Sequence, residues 1–252
     1  MFGRGRAGNN MRIIFKTIKY ILLAAMAIML GALIYLLWTE RDPSAVRSLA
    51  WSEEAVERYK ASEDGFRVMS ITGFDGRTYS QDGAVGISRV SHVVDIDEWQ
   101  MLVRYNDSTL RAVEEKRGKV DLADTERFIF TLSDDLGHVY TEYRFLTAKT
   151  SRHNYLRLVF DGVPLAFSGE ETGEDGQTRA TVSRVREMQL NVYCREDVRE
   201  GEYPASPMYH VYVYAGNAAQ YDYKNLKNEL PGETPTEGLR SSSELFRKDT
   251  EQ

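Results

Sequence analysis

The feature that most restricts this chain is a run of nineteen uncharged, mostly apolar residues near its start. The run extends from Tyr20 to Trp38 and reads YILLAAMAIMLGALIYLLW. As a helix rising about 1.5 Å per residue, it spans roughly 28 Å, close to the hydrocarbon thickness of a bilayer. Tyr20, Tyr35 and Trp38 lie near its ends, where amphipathic rings favour the headgroup level. The sequence therefore predicts a transmembrane helix over 20–38, anchored at the interfaces by these three aromatic residues.

Basic residues flank this helix on one side only. Residues 1–39 contain five Lys or Arg and no Asp or Glu, and all five precede Tyr20. The positive-inside rule then predicts that 1–19 stay in the cytoplasm and that the rest is extracellular. A cleaved signal peptide is the alternative. The apolar run is longer than a signal core and ends at Leu36-Leu37-Trp38-Thr39, a poor cleavage site, so we expect an uncleaved signal-anchor.

The remainder of the chain is acidic and has one cysteine. The whole chain carries a net charge of −6. Without the five N-terminal basic residues, the chain has 27 basic and 38 acidic residues, which gives a net charge of −11. Such a surface does not attract nucleic acid.

Cys194 is the only cysteine of the chain, so it cannot form an intramolecular disulfide. We expect it to be a small buried residue. The alternatives are an intermolecular disulfide or lipidation, the second disfavoured by its distance from the membrane run.

Apolar and polar residues alternate with a period of two over most of the outer region. Trp99, Met101, Val103 and Tyr105 alternate with polar neighbours, and about seven further runs repeat this pattern between turn residues. Strands half-buried on one face give this pattern. The sequence predicts an all-β fold, an antiparallel β-sandwich or barrel, of which we favour the sandwich. The runs are 66–74, 90–96, 99–105, 128–132, 139–145, 156–160, 188–194 and 208–214.

Other segments predict helices, loops and linkers. Ser52 and two following glutamates predict a short capped helix over 53–60, and Asp107 predicts another helix start. The acidic, Gly-rich stretch 170–177 predicts a solvated hairpin loop. The polar C-terminal residues predict a largely disordered tail. The predicted organisation is a cytoplasmic segment 1–19, a transmembrane helix 20–38, a tether 39–50, a β-domain 51–215 and a tail 216–252.

No motif in the sequence predicts catalysis or metal binding. The four histidines lack zinc-ligand spacing, no P-loop or GxSxG motif is present, and no GxGxxG motif follows a predicted strand. We expect His92 to be a hydrogen-bonded core or rim residue. The carboxylate pairs lie in polar turns, where solvation is the simplest role. These pairs are Asp95/Asp97, Asp134/Asp135, Glu170/Glu171 and Glu174/Asp175. We therefore predict no catalytic residue, no cofactor and no metal.

Tyrosines concentrate in the last run and give the best hint of a binding surface. Tyr209, Tyr212 and Tyr214 place aromatic rings on both faces of that strand. One interpretation is a strand buried on both sides, which we favour. The other is an exposed edge whose rings contact a partner.

Three segments between Trp99 and Phe167 carry a resemblance to a known group. They read WQMLVRYNDSTL, FTLSDDLGHVY and NYLRLVFDGVPL. They resemble uncharacterised single-pass membrane-anchored proteins of Gram-positive bacteria, and are similar to bacterial immunoglobulin-like extracellular domains. Asp134, Gly137 and Tyr140 correspond loosely to a turn of those domains. The resemblance implies an immunoglobulin-like sandwich in a bacterial envelope and carries over no catalytic residue.

Taken together, these patterns favour a non-enzymatic module that binds an envelope protein or wall component outside the cell. A first alternative is an accessory subunit of a membrane complex that acts through its transmembrane helix. A second alternative is a hydrolase of the cell envelope, which needs a cleft with convergent carboxylates or a Ser/His pair.

Overall fold

The structure is a computed structural model, and it divides the chain into two compact units, Met1–Asp42 and Pro43–Gln252. The residues that it describes are 5–39, 41–71, 78–79, 85–106, 127–150, 153–172, 177–199, 202–216, 221–225 and 234–247. The predicted helix start at Asp107 lies outside these residues.

The first unit consists of one long helix, α1, at Gly5–Thr39. Its segment Phe15–Leu37 is long and apolar enough to cross a membrane, and none of it is buried against the described chain. Tyr20 and Tyr35 are exposed, as interfacial anchors require. The side chain of Trp38 lies outside the description. The helix confirms the predicted apolar span and continues back through much of the basic segment.

The second unit consists mainly of antiparallel strands, which confirms the mostly-β prediction. Its short helices are α2 Ser44–Arg47, α3 Glu53–Ala61 and α4 Ser243–Arg247, and 3₁₀ turns lie at Val94–Ile96 and Arg195–Asp197. The strands are β1 Arg67–Ile71, β2 Thr78–Tyr79, β3 Val85–Val93, β4 Glu98–Asn106, β5 Phe128–Asp134, β6 Val139–Tyr140, β7 Arg144–Lys149, β8 His153–Phe160, β9 Ala166–Thr172, β10 Thr178–Arg184, β11 Glu187–Cys194, β12 Tyr209–Ala215, β13 Tyr221–Asn225 and β14 Arg240–Ser241.

Two sheets face one shared core. The larger sheet has the order β13-β1-β3-β4-β8-β7-β14, with β2 paired to β3, and the smaller has the order β12-β11-β5-β6. Trp99 of the larger sheet contacts Tyr214 of the smaller at a ring distance of 5.7 Å, and Tyr105 contacts Phe128 at 4.9 Å. The predicted alternation placed Trp99, Tyr105 and Phe128 correctly on the inner faces, because both sheets bury one apolar face here.

The outer face of the larger sheet is also buried, which corrects the half-buried prediction for its central strands. Gln100 and Arg157 point away from the core, yet they are 0% and 1% exposed. Arg157 donates to the carbonyls of Val46 (3.0 and 2.7 Å) and Arg47 (2.7 Å), and Val46 packs beside the sheet. The sequence predicts a tether over 39–50. Instead, the part from Ser44 onward lies on this face, because the polar strand residues satisfy its backbone groups.

Helix α3 confirms the predicted helix and its cap. The Ser52 side chain accepts from the Ala55 N–H at 3.1 Å. Trp51 and Val56 lie in one buried cluster with Phe66, as a hydrophobic staple requires.

The C-terminal segment is partly ordered, so the predicted disordered tail is wrong for its described parts. Strand β13 pairs with β1, and β14 pairs with β7. Leu245 of α4 is 2% exposed and joins the main core. Thr236 exchanges two hydrogen bonds of 2.8 Å with Trp51. Backbone pairing with open sheet edges and one buried leucine supply the stability that composition alone did not indicate.

Two other expectations need correction. The stretch 170–177 is not all loop, because β9 and β10 form a two-stranded hairpin paired from Thr172↔Thr178 to Ala166↔Arg184. The predicted run 139–145 is split into β6 and β7, which belong to different sheets.

Candidate binding cleft

The three tyrosines of the last strand do not form one surface. Tyr214 is buried against Trp99, and Tyr209 is half-buried against the same core. Only Tyr212 is well exposed, at 50%. It lies on the outer face of β12, 6.4 Å from the ring of His210. The predicted partner surface is therefore reduced to one tyrosine and a neighbouring histidine. Alternation along β12 turns Tyr209 inward, and the register shift opposite Met188 and Gln189 turns Tyr214 inward as well.

Cys194 and His92, which the sequence also singles out, are both buried in the β-domain. Cys194 is buried, and its thiol donates to Glu196 at 3.1 Å, which agrees with the small buried residue expected. His92 is 2% exposed and stacks on Trp99 at 4.7 Å. Burial lowers the pKa of His92 to about 4, so its ring is neutral at pH 7. Neither ring nitrogen of His92 has a hydrogen-bond partner among the described residues, so the expected hydrogen bond is not found.

The carboxylate pairs of the sequence do not converge in the described residues. Asp95 binds Arg67 in a side-chain pair at 2.8 Å, while Asp97 lies 3.8 Å from His92. Asp134 accepts from the backbone of its own turn and from His138 at 2.8 Å. Asp135 accepts from the N–H groups that open β11. These carboxylates therefore stabilise turns and strand ends. Glu170 and Glu171 lie on the exposed strand β9, and Glu174 and Asp175 lie outside the described residues.

A different group of carboxylates lines an open cleft of about 620 Å³. One wall is the first two turns of α3, and the opposite wall is formed where β4 and β7 begin and β8 ends. A volume in this range is typical of small-molecule sites. The lining residues are Ser52, Glu53, Glu54, Ala55, Arg58, Ile96, Glu98, Arg144, Asp161 and Gly162.

Glu98 lies at the floor of the cleft and is 1% exposed. Its Oε1 accepts from Gln100 Nε2 at 2.6 Å, and its Oε2 accepts from Arg144 Nη2 at 3.1 Å. Arg144 also binds both carboxylate oxygens of Asp161, through Nε at 2.9 Å and through Nη2. One guanidinium therefore bridges a buried carboxyl group and a half-exposed one.

The same floor connects the cleft to the segment that precedes α3. Gln100 Nε2 donates to the Ala50 carbonyl at 2.6 Å, and Gln100 Oε1 accepts from the Ala50 N–H at 2.8 Å. A hydrogen-bonded chain thus runs from the backbone at Ala50 through Gln100 and Glu98 to Arg144. Such a chain holds each polar group in one position, because every member is satisfied only in this arrangement.

The surroundings of Glu98 favour the protonated form of its carboxyl group. Burial raises its pKa to about 8; the neighbouring Asp161 carboxylate also raises it, while Gln100 and Arg144 oppose the rise. The neutral acid then shares a hydrogen bond with Asp161, and the charge of Arg144 is balanced by Asp161. The floor of the cleft is consequently close to neutral, and ionising Glu98 there is unfavourable.

This geometry does not match the usual pair of glycosidase carboxyl groups. Those groups stand about 5–5.5 Å or 6.5–9.5 Å apart so that a sugar or water fits between them. Glu98 and Asp161 instead share a hydrogen bond and one arginine. The described residues also contain no group of three His, Cys, Asp or Glu placed to hold a metal ion.

Sequence reasoning missed this cleft, and no local signal marks it. In the sequence, Glu98 is one polar residue beside an alternating strand pattern, and Asp161 is followed by a turn glycine, Gly162. Arg144 and Asp161 lie 46 and 63 positions away from Glu98 along the chain. Only the pairing of β4 with β8 and of β8 with β7 brings the three together.

Comparison with protein-family models, curated proteins and solved structures finds no match to this chain.

Proposed function

We propose that this protein is a membrane-anchored module whose β-domain lies outside the cell and binds a component of the envelope without catalysis. The observation that carries the proposal is α1. Its apolar segment Phe15–Leu37 has no buried part, so in water it would expose a long apolar surface. A lipid bilayer removes that cost. The five basic residues before Tyr20 favour a cytoplasmic N-terminus, which leaves the β-domain on the far side.

An immunoglobulin-like sandwich in a Gram-positive envelope is the finer part of this proposal. It rests on the resemblance of the three segments between Trp99 and Phe167, and the two sheets that share one core support it. The larger sheet has more strands than either sheet of an immunoglobulin domain, so the likeness concerns two-layer architecture rather than strand order.

The cleft beside α3 is the surface on which we place binding. It is an open concavity of suitable size, and its polar groups are fixed by the chain that runs from Ala50 to Arg144. Preorganised polar groups lower the entropy cost of binding. The partner is an envelope protein or a wall component that presents groups complementary to this cleft.

A helix-exchange experiment separates this function from the accessory-subunit alternative. The tagged full chain and a version with 20–38 replaced by an unrelated membrane helix are cross-linked in intact cells. We expect the same cross-linked partner from both, because the β-domain makes the contact. Loss of the partner only in the exchanged chain would instead assign the contact to α1.

A hydrolase is the second candidate, favoured by one observation: the raised pKa of Glu98 beside an exposed carboxylate in a cleft. We rank it lower because Glu98 is almost fully buried and Arg144 occupies Asp161. An activity screen on envelope polymers and peptides, with Glu98→Gln and Asp161→Asn variants, tests it. Turnover abolished by both substitutions would replace the binding proposal.

A further inference from the structure

The β9–β10 hairpin stands apart from both main sheets. Its two strands form a sheet of their own, and neither pairs with another described strand. Phe167 and Val185 at its base pack on the main core, but from Ser168 outward almost every described residue of both strands is exposed. An isolated two-stranded hairpin is only marginally stable in water, and a third strand stabilises it.

Both outer edges of the hairpin present backbone groups that pair with no other described strand. The Val185 N–H donates to the Leu165 carbonyl at 3.0 Å, so in the regular register that follows, every second pair is hydrogen-bonded within the hairpin. Ala180, Val182 and Arg184 belong to the other pairs. Their N–H and C=O groups therefore point away from β9, and those of the residues opposite them point away from β10. Neither strand has a proline, a lysine or a bulge, which commonly block such edges.

The two edges carry opposite charges. Glu170 lies on β9 and Arg184 lies on β10, both are exposed, and neither forms an ion pair with a described residue. Glu171 adds a further negative charge to β9. Opposite charges across a strand pair stabilise it, and like charges destabilise it. An edge formed by β9 of one copy therefore fits β10 of another copy, whereas β9 against β9 or β10 against β10 brings like charges together.

We propose that the hairpin joins copies of this chain head to tail, with β9 of one copy adding to β10 of the next as an antiparallel third strand. This inference goes beyond the proposed function, because it concerns contacts between copies and does not involve the cleft. Each copy uses a different edge on its two sides, so the contact is heterologous and produces a ring or an open row. Strand addition uses backbone groups at the edge and leaves the side chains of both faces, including Val182, in solvent.

Disulfide formation between two differently tagged full chains, co-expressed and oxidised in isolated membranes, tests this inference. One chain carries Val182→Cys, and the other carries Ala166→Cys, Ser168→Cys or Thr172→Cys. Opposed residues of an antiparallel pair lie about 5.5 Å apart, within reach of a disulfide. We expect a mixed disulfide at one or more of the three β9 positions, in excess of the disulfide between two Val182→Cys chains. The control Glu57→Cys, at an exposed position of α3, replaces the β9 cysteine and gives no mixed disulfide.

Charge reversal provides a second test of the same contact. Glu170→Arg in the chain with the β9 cysteine lowers the yield of mixed disulfide about fivefold, because it places a second cation near Arg184. Arg184→Glu in the chain with the β10 cysteine then restores the yield. Thermal unfolding of the purified variants verifies that each remains folded. Absence of a mixed disulfide at all three positions, an equal yield with Glu57→Cys, a larger yield of the Val182→Cys homodimer, or a yield that the charge reversals leave unchanged would overturn the inference.

Discussion

Glu98 shows how the environment of one side chain sets its chemistry. A glutamate in an exposed strand position is ionised at neutral pH, but here the segment before α3 covers it. Burial raises its pKa to about 8. The residue therefore acts as a hydrogen-bond donor to Asp161 and an acceptor from Gln100 and Arg144, in place of a surface charge.

The protonation of Glu98 makes the stability of the β-domain dependent on pH. Between about pH 4.5 and pH 8 the folded chain keeps a proton that the unfolded chain loses. The free energy of unfolding therefore falls as pH rises through this range, by up to about 1.4 kcal/mol per pH unit from this group. Denaturant unfolding followed by tryptophan fluorescence measures this, and Glu98→Gln, which mimics the neutral acid, removes this contribution.

The difference between the wild type and Glu98→Gln isolates the group, because contributions from other residues such as His92 cancel. Glu57→Gln, a substitution of an exposed residue, keeps the wild-type slope. A wild-type slope that Glu98→Gln leaves unchanged would show that Glu98 is ionised in the folded chain.

Arg157 is the second residue whose role is set by what covers it. It holds the carbonyls of Val46 and Arg47 against the sheet. Replacement by methionine keeps most of the volume but leaves these carbonyls without a donor, so we expect the free energy of unfolding to fall by about 3 kcal/mol. Chemical denaturation of the full chain measures the loss. Arg184→Met, on the exposed strand β10, should change the value by less than about 0.5 kcal/mol. Equal losses in the two variants would rule out this role.

At the scale of elements, the sequence predicts which strand residues face the core better than it predicts the surroundings of the residues on the opposite face. Period-two alternation placed Trp99, Met101 and Val103 on the core, and the cap at Ser52 placed α3. Alternation reports only which residues share a face, and it does not say what covers the polar face. The covering segment 44–51 is held both by hydrogen bonds from Arg157 and Gln100 and by the burial of Val46, Ala50 and Trp51. The cleft therefore could not be predicted, since it depends on that cover.

The C-terminal helix α4 is predicted to contribute to stability despite its polar surroundings. Leu245 is buried in the main core, so Leu245→Ala should lower the free energy of unfolding by about 2–4 kcal/mol. Glu237→Ala, an exposed position in the same segment, serves as the control. Denaturant midpoints of the two variants measure their difference in stability, and we expect the midpoint of Leu245→Ala to be lower. Identical midpoints would mean that the segment is not packed as described.

At the scale of the molecule, an apolar helix and an acidic β-domain sit on one short chain. The helix ends at Thr39, and α2 begins at Ser44. Few residues therefore connect the two units. The basic and acidic parts lie on opposite sides of the apolar run in the sequence, which is the pattern expected if the bilayer separates them.

The most direct measurement of the central claim is the side of the membrane on which each end of the chain lies. A cysteine introduced at Val182, which is 61% exposed on the β9–β10 hairpin, is compared with one at Gly8 in the basic segment. The wild type is the background, because Cys194 is buried. With a membrane-impermeant maleimide and intact cells, we predict labelling of Val182→Cys and no labelling of Gly8→Cys until the membrane is permeabilised. Labelling of Val182→Cys only after permeabilisation would place the β-domain in the cytoplasm and contradict the account.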